Sequence, residues 1–287
     1  MVFTVLVAYN PDVSELRYLI ELLQKQTSRI VICSNSDWAL EFCHHKIKVF
    51  NFGQNLGIAA AQSIGMKWSF ESGADFVLQM DQDSIPTPKM VSELLNSYTE
   101  LSTKGFNIGL VGVQDFDNRT SRLNRARLNK GRKIPGTNFK LVSETLSSGS
   151  LIPRQAYEVV GGMEDGLFID AVDFEYCWRL KKHGFVVVRN QNALLGHCLG
   201  EGTKRIFGFV NVRVPSPVRH YYAFRNSINL VKRRYVPLYW KMSSMVKVVM
   251  KLIFYPLALH PGKERLYYML RGIKDGILGR YGSIDEK

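Results

Sequence analysis

Short apolar runs alternate along the first half of the chain with longer segments in which apolar residues recur at helical spacing. Runs rich in β-branched residues predict strands, and apolar residues three or four positions apart predict amphipathic helices. The runs that we interpret as strands are residues 3–8, 30–33, 48–52 and 76–80. The helical pattern covers residues 14–26 and 55–70. A third helix is expected to follow, with Thr87 as its N-cap and Pro88 at its first position.

This order of elements predicts an α/β fold in which a mostly parallel sheet carries helices on both faces. In such sheets, ligands bind beyond the carboxyl ends of the strands. The chain has 287 residues, which is enough for one large domain with an extension. We therefore expect a ligand-binding α/β domain over residues 1–215 and a helical, basic and amphipathic region over residues 216–287.

Composition narrows the choice of partners. The net charge of +13 at pH 7 predicts an anionic partner, which could be nucleic acid, a phosphorylated small molecule or a membrane surface. The four cysteines show neither a CxxC pair nor zinc-finger spacing, so we expect reduced thiols in a cytoplasmic protein. The opening residues MVFTVLVAYN lack signal-peptide features, and no uncharged apolar run reaches the ~20 residues that a membrane-spanning helix needs.

Two aspartates stand one residue apart where the last predicted strand ends, in the stretch DFVLQMDQDSIPTP. In extended chain, residues i and i+2 point the same way, so Asp81 and Asp83 could present their carboxylates together. Such a pair suits Mg²⁺ or Mn²⁺ shared with a substrate diphosphate. A solvated turn, in which one aspartate caps a nearby amide, is the alternative. A phosphatase-type nucleophile is disfavoured, because that arrangement is usually built on the first strand.

A second acidic cluster lies in residues 161–185, where the pattern becomes helical from Asp173 onward. An aspartate near a helix N-terminus commonly caps the helix. It can also act as a general base that takes a proton from a sugar hydroxyl attacking an activated carbon. Asp170 and Glu175 are the alternatives for such a base within the same cluster.

Four motifs, in their order, resemble glycosyltransferase family 2 of the GT-A fold: VLVAYNP, NLGIAAAQSIGM, LQMDQDSIP and SSGSLIPRQAYEVVGGMEDGLFIDAVDFEYCWRL. The details DQDS, SSGSLI, LFIDAVDFEYCWR and RHYYAFRN are similar to its bacterial rhamnosyltransferase branch. The resemblance implies an inverting transferase that uses a nucleotide-sugar donor and a divalent metal ion, Mg²⁺ or Mn²⁺. For the rhamnosyl branch it implies dTDP-L-rhamnose as donor and a growing lipid-linked polysaccharide as acceptor.

The resemblance also implies roles for particular residues. It makes Asp173 the catalytic base, Asp83 a metal ligand and Asp81 the aspartate near the ribose and metal. His197 matches a histidine that reaches the metal or diphosphate in some relatives, and Arg225 matches an arginine that contacts the diphosphate. For His197 and Arg225, a structural role outside the functional site is the alternative. The other donor-binding residues implied by the resemblance are Ala8, Tyr9, Asn10, Gly57, Ser148, Gly149 and Ser150.

The chain departs from the family pattern in two places. Relatives often carry an aspartate after the second strand, in a DNxS pattern, whereas this chain reads ICSNSD, with Cys33 or Ser34 there. Asn35 or Asp37 could substitute in the contact with the nucleotide base. Relatives also often read EDxD around the catalytic base. Here the stretch is AVDFE, and Asp173 remains the best match.

A basic segment motivates a rival hypothesis. Residues 115–140 hold eight Lys/Arg residues and few large apolar ones, which predicts a mobile surface loop. Its part 119–133 could belong to a nucleic-acid-binding domain. Such a site would interleave aromatic with basic residues, and this segment has no aromatic residue. We therefore disfavour nucleic acid as a partner.

The segment 236–260 is mostly apolar, and four polar residues in it fall three or four positions apart. An apolar helix with a basic stripe is typical of a helix that lies in a membrane interface. We therefore expect peripheral attachment to the cytoplasmic face of the cell membrane. The alternative is a helix packed on the catalytic domain or on a second subunit, and a homo-oligomer stays open. The stripe consists of Lys241, Ser244, Lys247 and Lys251.

Overall fold

The structure is a computed structural model that describes residues 1–118, 120–124, 130–197, 203–206, 210–213 and 215–284. For His197 and for residues 203–206 and 210–213 it describes the backbone alone. Contacts divide the chain into two compact units, of which the first comprises residues 1–165 and 176–199. The second comprises residues 166–175 and 200–287. It thus contains two pieces of chain from before the predicted domain boundary at residue 215, residues 166–175 and 200–215, and that boundary stays a prediction.

The first unit is built on one mixed sheet. Its strands are β1 (Val2–Ala8), β2 (Arg29–Ser34), β3 (Ile47–Asn51), β4 (Phe76–Asp81), β5 (Ser84–Pro86), β6 (Ile108–Asp117), β7 (Arg132–Lys133), β8 (Phe139–Val142), β9 (Ser150–Pro153) and β10 (Val186–His197). Their order is β3-β2-β1-β4-β9-β6-β10-β8-β7, with β5 paired to β10. The pairs β3-β2, β2-β1, β1-β4 and β6-β10 are parallel. Every residue of β1 is buried, as expected for a central strand of a parallel sheet.

Helices follow the strands as the periodicity predicts. They are α1 (Val13–Gln24), α2 (Gly57–Glu71), α3 (Met90–Thr103), α4 (Arg154–Val160) and α5 (Val172–Lys182). The side chain of Asp12 caps α1 by accepting from the amides of Ser14 and Glu15. Helix α2 packs closely on β1 because it carries Gly65. A Cβ atom at that position would lie 2.5 Å from Cγ1 of Val5.

Two local predictions are wrong. Helix α3 begins at Met90 rather than at Pro88, because the Thr87 hydroxyl donates a 2.9 Å hydrogen bond to the Leu194 carbonyl. Thr87 therefore ties the chain to β10 and does not cap the helix. The basic segment 115–140 is also not a loop throughout. Strand β6 extends into it, β7 and β8 form a hairpin within it, and Leu123 forms a β-bridge with Phe116. Residues 119 and 125–129 lie outside the described residues.

The second unit is mainly helical. It contains the hairpin β11 (Thr203–Ile206) and β12 (Val210–Arg213), followed by α6 (Pro217–Val231), α7 (Leu238–Ala258) and α8 (Gly262–Ile277). Pro217 stands at the start of α6, where its fixed φ and missing N–H are tolerated, and the Ser216 side chain caps it. Tyr221 and Phe224 of α6 are both buried in the unit's core. None of the helices that the structure describes is long and apolar enough to cross a membrane.

Helix α7 exposes its apolar face, and its predicted polar stripe turns partly inward. Ser244 is buried and donates a 3.0 Å hydrogen bond to the Ser227 hydroxyl of α6. The Lys251 ammonium lies 5.7 Å from the centre of the Tyr255 ring, and burial lowers the pKa of Lys251. The exposed apolar residues of α7 are Leu238, Tyr239, Met242, Val246, Val249, Met250, Ile253, Phe254 and Leu257. The outward face of α7 is therefore mostly apolar rather than basic.

Candidate functional site

The predicted donor-binding residues of the first unit gather where three parallel strands end. Ala8 is the last residue of β1 and pairs in register with Ser34, the last residue of β2. Asp81 ends β4 and stands beside Val7 of β1. The carboxyl ends of parallel strands meet at one edge of a sheet, which is where ligands bind in such folds. The strand pattern in the sequence is sufficient to predict this gathering.

The residue between the two aspartates fixes the loop after β1. The Gln82 side chain accepts a 2.7 Å hydrogen bond from the Tyr9 amide and donates a 3.2 Å bond to the Tyr9 carbonyl. Next to it, the Asn10 amide donates to the Ser36 hydroxyl at 2.8 Å, and Asn10 has a φ of 43°. Asparagine tolerates this left-handed conformation better than most residues. The Tyr9 side chain is left 53% exposed.

Ser148 and Gly149 contact the end of β4, the strand that carries Asp81. The Ser148 hydroxyl accepts a 3.1 Å hydrogen bond from the Asp81 amide and donates a 2.8 Å bond to the Ser84 hydroxyl. Gly149 has a φ of 78°, and a Cβ atom there would lie 2.6 Å from Cγ2 of Val113. Ser148 is buried, so its described role is to hold the turn that carries the aspartates. Ser150, also buried, donates to the Leu146 carbonyl.

The structure distinguishes the four residues that stand where relatives carry an aspartate after β2. Burial raises the pKa of the Cys33 thiol to about 12, so this residue is uncharged. Ser34 is fully buried. The Asn35 side chain donates to the Gly57 carbonyl and accepts from the Leu56 amide, both at 3.1 Å, and thereby holds the start of α2. Asp37 is exposed, so its carboxylate is accessible to a ligand.

The aspartate pair lies at the same edge but not on one extended strand. Asp81 is half-buried at the end of β4, whereas Asp83 is exposed in the turn that leads to β5. The extended-chain argument for two parallel carboxylates therefore does not apply to Asp83. Carboxylate oxygens suit Mg²⁺ and Mn²⁺. Among the residues described, no group of three or more His, Cys, Asp and Glu side chains could hold a metal ion. Asp81 and Asp83 offer carboxylate oxygens of the kind that Mg²⁺ and Mn²⁺ prefer, and a metal ion held by them stays a prediction.

His197 ends β10 at the same edge. Its backbone pairs in register with Ser84 of β5 and with Asp117 of β6. Its side chain lies outside what the structure describes, so its predicted contact with metal or diphosphate stays a prediction.

Two further predicted residues, Asp173 and Arg225, belong to the second unit. Asp173 is half-exposed in the first turn of α5, where its Oδ1 accepts from the Phe174 amide at 2.9 Å. Its rival Glu175 is fully buried and accepts a 2.7 Å hydrogen bond from the Tyr235 hydroxyl. Asp170 forms an ion pair with Arg219 at 3.0 Å. Burial keeps Glu175 from meeting a substrate, and the choice of Asp173 as the base stays a prediction.

Arg225 is placed differently from the prediction. Its side chain is fully buried, and its NH2 group donates to the carbonyls of Gly166 at 3.1 Å and Leu167 at 2.9 Å. Its NH1 group donates to the Gly282 carbonyl. A guanidinium with this set of backbone partners and no solvent exposure has a structural role. This environment argues against the diphosphate contact that the resemblance implies.

Sequence reasoning missed the bracing residues. Neither Gln82, which holds the Tyr9 backbone, nor Asn226, which donates to the carbonyls of residues 167, 169 and 170, is among the residues predicted from the sequence. Buried or bridging amide side chains leave no periodic signal in a sequence. The position of each one inside a recognised motif, DQD and RN, is the signal that could have drawn attention to it.

The chain is similar in sequence to known proteins. Residues 4–161 match the family model described as glycosyl transferase family 2. The chain is 32% identical over 296 residues to the dTDP-rhamnosyl transferase RfbF of Shigella flexneri, covering 98% of this chain and 97% of that protein.

Similar folds occur among solved structures. S. aureus TarS 1–349 in complex with UDP-GlcNAc has a TM-score of 0.55 at 13% identity, covering 98% of this chain and 82% of that one. GalNAc-T7 with UDP, GalNAc and Mn²⁺ has a TM-score of 0.53 at 14% identity, covering 90% of this chain and 57% of that one. At these identities the likeness concerns the fold alone. With its α/β sheet, its strand-end aspartates and its family match, the chain belongs to glycosyltransferase family 2 and is a glycosyltransferase of the GT-A fold.

Proposed function

We propose that this enzyme transfers L-rhamnose from dTDP-L-rhamnose, with inversion, onto a hydroxyl group of a lipid-linked polysaccharide precursor. The observation that carries the proposal is the 32% identity to a dTDP-rhamnosyl transferase over nearly the full length of both chains. The divalent metal is proposed from the GT-A family and from the Mn²⁺ named in a structural neighbour. The acceptor is proposed from the family resemblance alone.

The donor would bind at the strand ends of the first unit. The exposed Tyr9 ring can stack on a nucleotide base, while Gln82 holds the Tyr9 backbone from both sides. Asp37 supplies an exposed carboxylate in the neighbouring loop. Asp81 and Asp83 would hold a divalent ion together with the donor diphosphate. Such an ion supplies the positive charge that stabilises a departing diphosphate.

Asp173 is the proposed general base, from its match to the base of the family. As the bond between sugar and diphosphate breaks, the sugar carbon gains oxocarbenium character, as in glycoside hydrolysis. The acceptor hydroxyl attacks that carbon on the face opposite the leaving group, which inverts its configuration. The Asp173 carboxylate takes the hydroxyl proton. The departing dTDP keeps the electron pair of the broken bond.

Attachment to a membrane surface is proposed from helix α7. Its exposed apolar residues recur every three or four positions, and Leu257 at its end is 84% exposed. An interfacial helix buries such a face at the boundary between lipid headgroups and acyl chains. Exposed Lys247, with the high net positive charge, would add attraction to anionic lipids. This location suits an acceptor carried on a lipid.

A donor screen tests the proposal. The purified enzyme is incubated with Mn²⁺ and with dTDP-L-rhamnose, dTDP-glucose, UDP-glucose or UDP-N-acetylglucosamine, and release of the nucleoside diphosphate is followed. We expect dTDP-L-rhamnose to be turned over at least about tenfold faster than the others, which corresponds to ~1.4 kcal/mol of discrimination. Faster turnover of a UDP-sugar would replace the proposed donor.

Thermal shift separates the enzyme from the rival nucleic-acid-binding function. The full chain is heated with dTDP and Mn²⁺, and separately with single- and double-stranded oligonucleotides. A ligand that binds only the folded state raises the melting temperature, and at equal ligand concentration the tighter ligand gives the larger shift. We expect a shift with dTDP and Mn²⁺ that exceeds the shift with oligonucleotides at equal concentration.

A further inference from the structure

Two adjacent side chains of α6, Arg225 and Asn226, clamp the piece of chain that leads into the helix carrying Asp173. Asn226 donates from Nδ2 to the carbonyls of Leu167 at 2.9 Å, Ile169 at 2.7 Å and Asp170 at 2.9 Å. Arg225 donates to the carbonyls of Gly166 and Leu167, as described above. We call residues 166–171 the clamped segment.

The two clamping side chains also fix each other. Nε of Arg225 donates to Oδ1 of Asn226 at 3.0 Å, which orients the amide so that its Nδ2 faces the clamped segment. The guanidinium lies 5.4 Å from the centre of the Tyr221 ring and 5.1 Å from that of Tyr222. Both clamping side chains are almost completely buried, so their hydrogen bonds are not exchanged with solvent.

The clamped segment has an unfavourable backbone conformation. Phe168, Asp170 and Ala171 have φ values of 64°, 70° and 63°. Residues with side chains seldom adopt this left-handed region, and they do so where the surrounding structure over-determines it. The clamp and the ion pair between Asp170 and Arg219 supply that restraint. Helix α5 begins directly afterwards at Val172, so this conformation sets where its first turn lies.

We propose that Arg225 and Asn226 are positioning residues for catalysis, which hold the clamped segment so that the carboxylate of Asp173 meets the acceptor hydroxyl. The inference rests on the proposed role of Asp173 as the base. A displacement of about 1 Å in a catalytic group can cost on the order of a hundredfold in rate. Loss of the clamp should therefore lower turnover without weakening nucleotide binding.

The test compares two asparagines of the same helix. Asn226→Ala removes the three hydrogen bonds that Asn226 donates to the clamped segment. Asn229→Ala is the matched control, because Asn229 is also buried on α6 and donates a 3.1 Å hydrogen bond to a backbone carbonyl, that of Arg280, outside the clamped segment. Melting temperature, dTDP affinity and dTDP release from dTDP-L-rhamnose are measured for both variants of the full chain, with water or a lipid-linked saccharide as acceptor.

We expect Asn226→Ala to lower the melting temperature more than Asn229→Ala, because it removes the donor to three buried carbonyls rather than to one. The folded Asn226→Ala variant should turn over at least about tenfold more slowly than folded Asn229→Ala, with dTDP affinity within about twofold of wild type. Hydrogen exchange of the amides in residues 166–175 should be faster in Asn226→Ala than in the control. Equal turnover by the two folded variants would overturn the inference. Arg225→Lys, which keeps the charge but loses the guanidinium's fixed fork of donors, gives the same comparison if Asn226→Ala does not fold.

A double variant separates failure of this inference from failure of the proposed base. If Asn226 acts through Asp173, Asn226→Ala added to Asp173→Asn lowers turnover little further. Losses that multiply would mean independent roles and would overturn the inference alone. Near-normal turnover by Asp173→Asn would overturn the base assignment, and the positioning role with it.

Discussion

Different parts of the structure hold the proposed donor-binding residues and the proposed base in place. At the donor edge of the first unit, Ala8 and Asp81 sit on the ends of regular strands, and the side chains of Gln82 and Ser148, each more than sixty positions from its partner in sequence, hold the loops between them. In the second unit, Asp173 follows a left-handed segment held by side chains more than fifty positions away in sequence.

Substitutions in the two regions should therefore have different effects. Regular strands keep their geometry through many backbone hydrogen bonds, so loss of one side chain at the donor edge should affect only the contacts of that side chain. The clamped segment depends on a few buried side-chain donors, and removal of one leaves carbonyls without a partner in a dry environment. Changes in the second unit should therefore act on rate, and changes at the donor edge on nucleotide binding.

The largest expected effect is that of Asp173→Asn. Asparagine keeps the size of the side chain and much of its capping ability but cannot accept the proton. Turnover should fall by on the order of a hundredfold or more, while dTDP affinity and melting temperature change little. Glu264→Gln, an exposed acid in the first turn of α8, is the control and should behave as wild type. A lower melting temperature with intact turnover would instead mean that Asp173 only caps the helix.

Acidic pH should lower the stability of the second unit, because His220 is buried in its neutral form. Burial, with the positive charges of Arg265 and Lys251, lowers the pKa of His220 from 6.5 to about 4. Its Nε2 lies 2.8 Å from Arg265, whose NH1 can only donate, so this histidine is neutral. The unfolded state binds the proton first as pH falls, so this stability is present above pH 6.5 and lost towards pH 4. The full loss is on the order of 3 kcal/mol.

Denaturant unfolding at several pH values measures this effect. Between pH 6.5 and pH 4, the wild-type free energy of unfolding should fall more steeply than that of His220→Gln, which keeps an acceptor for Arg265 but does not titrate. His183→Gln is the control, because His183 is exposed, and it should follow the wild-type curve. Parallel curves for all three proteins would mean that His220 does not titrate differently on folding.

At the donor edge, Asp83→Asn should reduce nucleotide binding rather than folding. We expect Mn²⁺ to raise the dTDP affinity of the wild type at least about tenfold, or ~1.4 kcal/mol, and to raise that of the variant much less. Calorimetry with dTDP, with and without Mn²⁺, measures both affinities. Glu71→Gln, an exposed acid at the end of α2, should keep the wild-type response. An equal metal response in Asp83→Asn would remove Asp83 from the proposed metal site.

The smallest expected effect concerns helix α7. Val249→Glu places a charge on its exposed apolar face and should lower binding to anionic vesicles several-fold, because the charge must enter the lipid interface. Val159→Glu on α4 is a close match, since Val159 is 54% exposed and Val249 is 55% exposed. Co-sedimentation of the full chain with phosphatidylserine-containing vesicles measures both. Equal loss in the two variants would mean that net charge alone, and not the α7 face, governs attachment.

Local pattern predicted the donor edge well, because a strand and the residue at its end are encoded by consecutive positions. Apolar runs located β1, β2 and β4 to within a residue or two, and Asp81 lies at a strand end as expected. Helix α3 was misplaced by two residues, because Thr87 bonds to Leu194, more than a hundred positions away. No pattern around residue 87 contains that partner.

The sequence by itself determined the α/β order, the strand-end position of Asp81 and the helical start at Asp173, since each depends on neighbours along the chain. Only the tertiary structure decided that Arg225 is buried as a clamp, that Glu175 is enclosed by Tyr235, and that α7 turns Ser244 inward and its apolar side outward. The physical reason is that a basic or acidic side chain has the same sequence signature in solvent and in a buried network. Its role is fixed by which distant carbonyls, hydroxyls and rings surround it after folding.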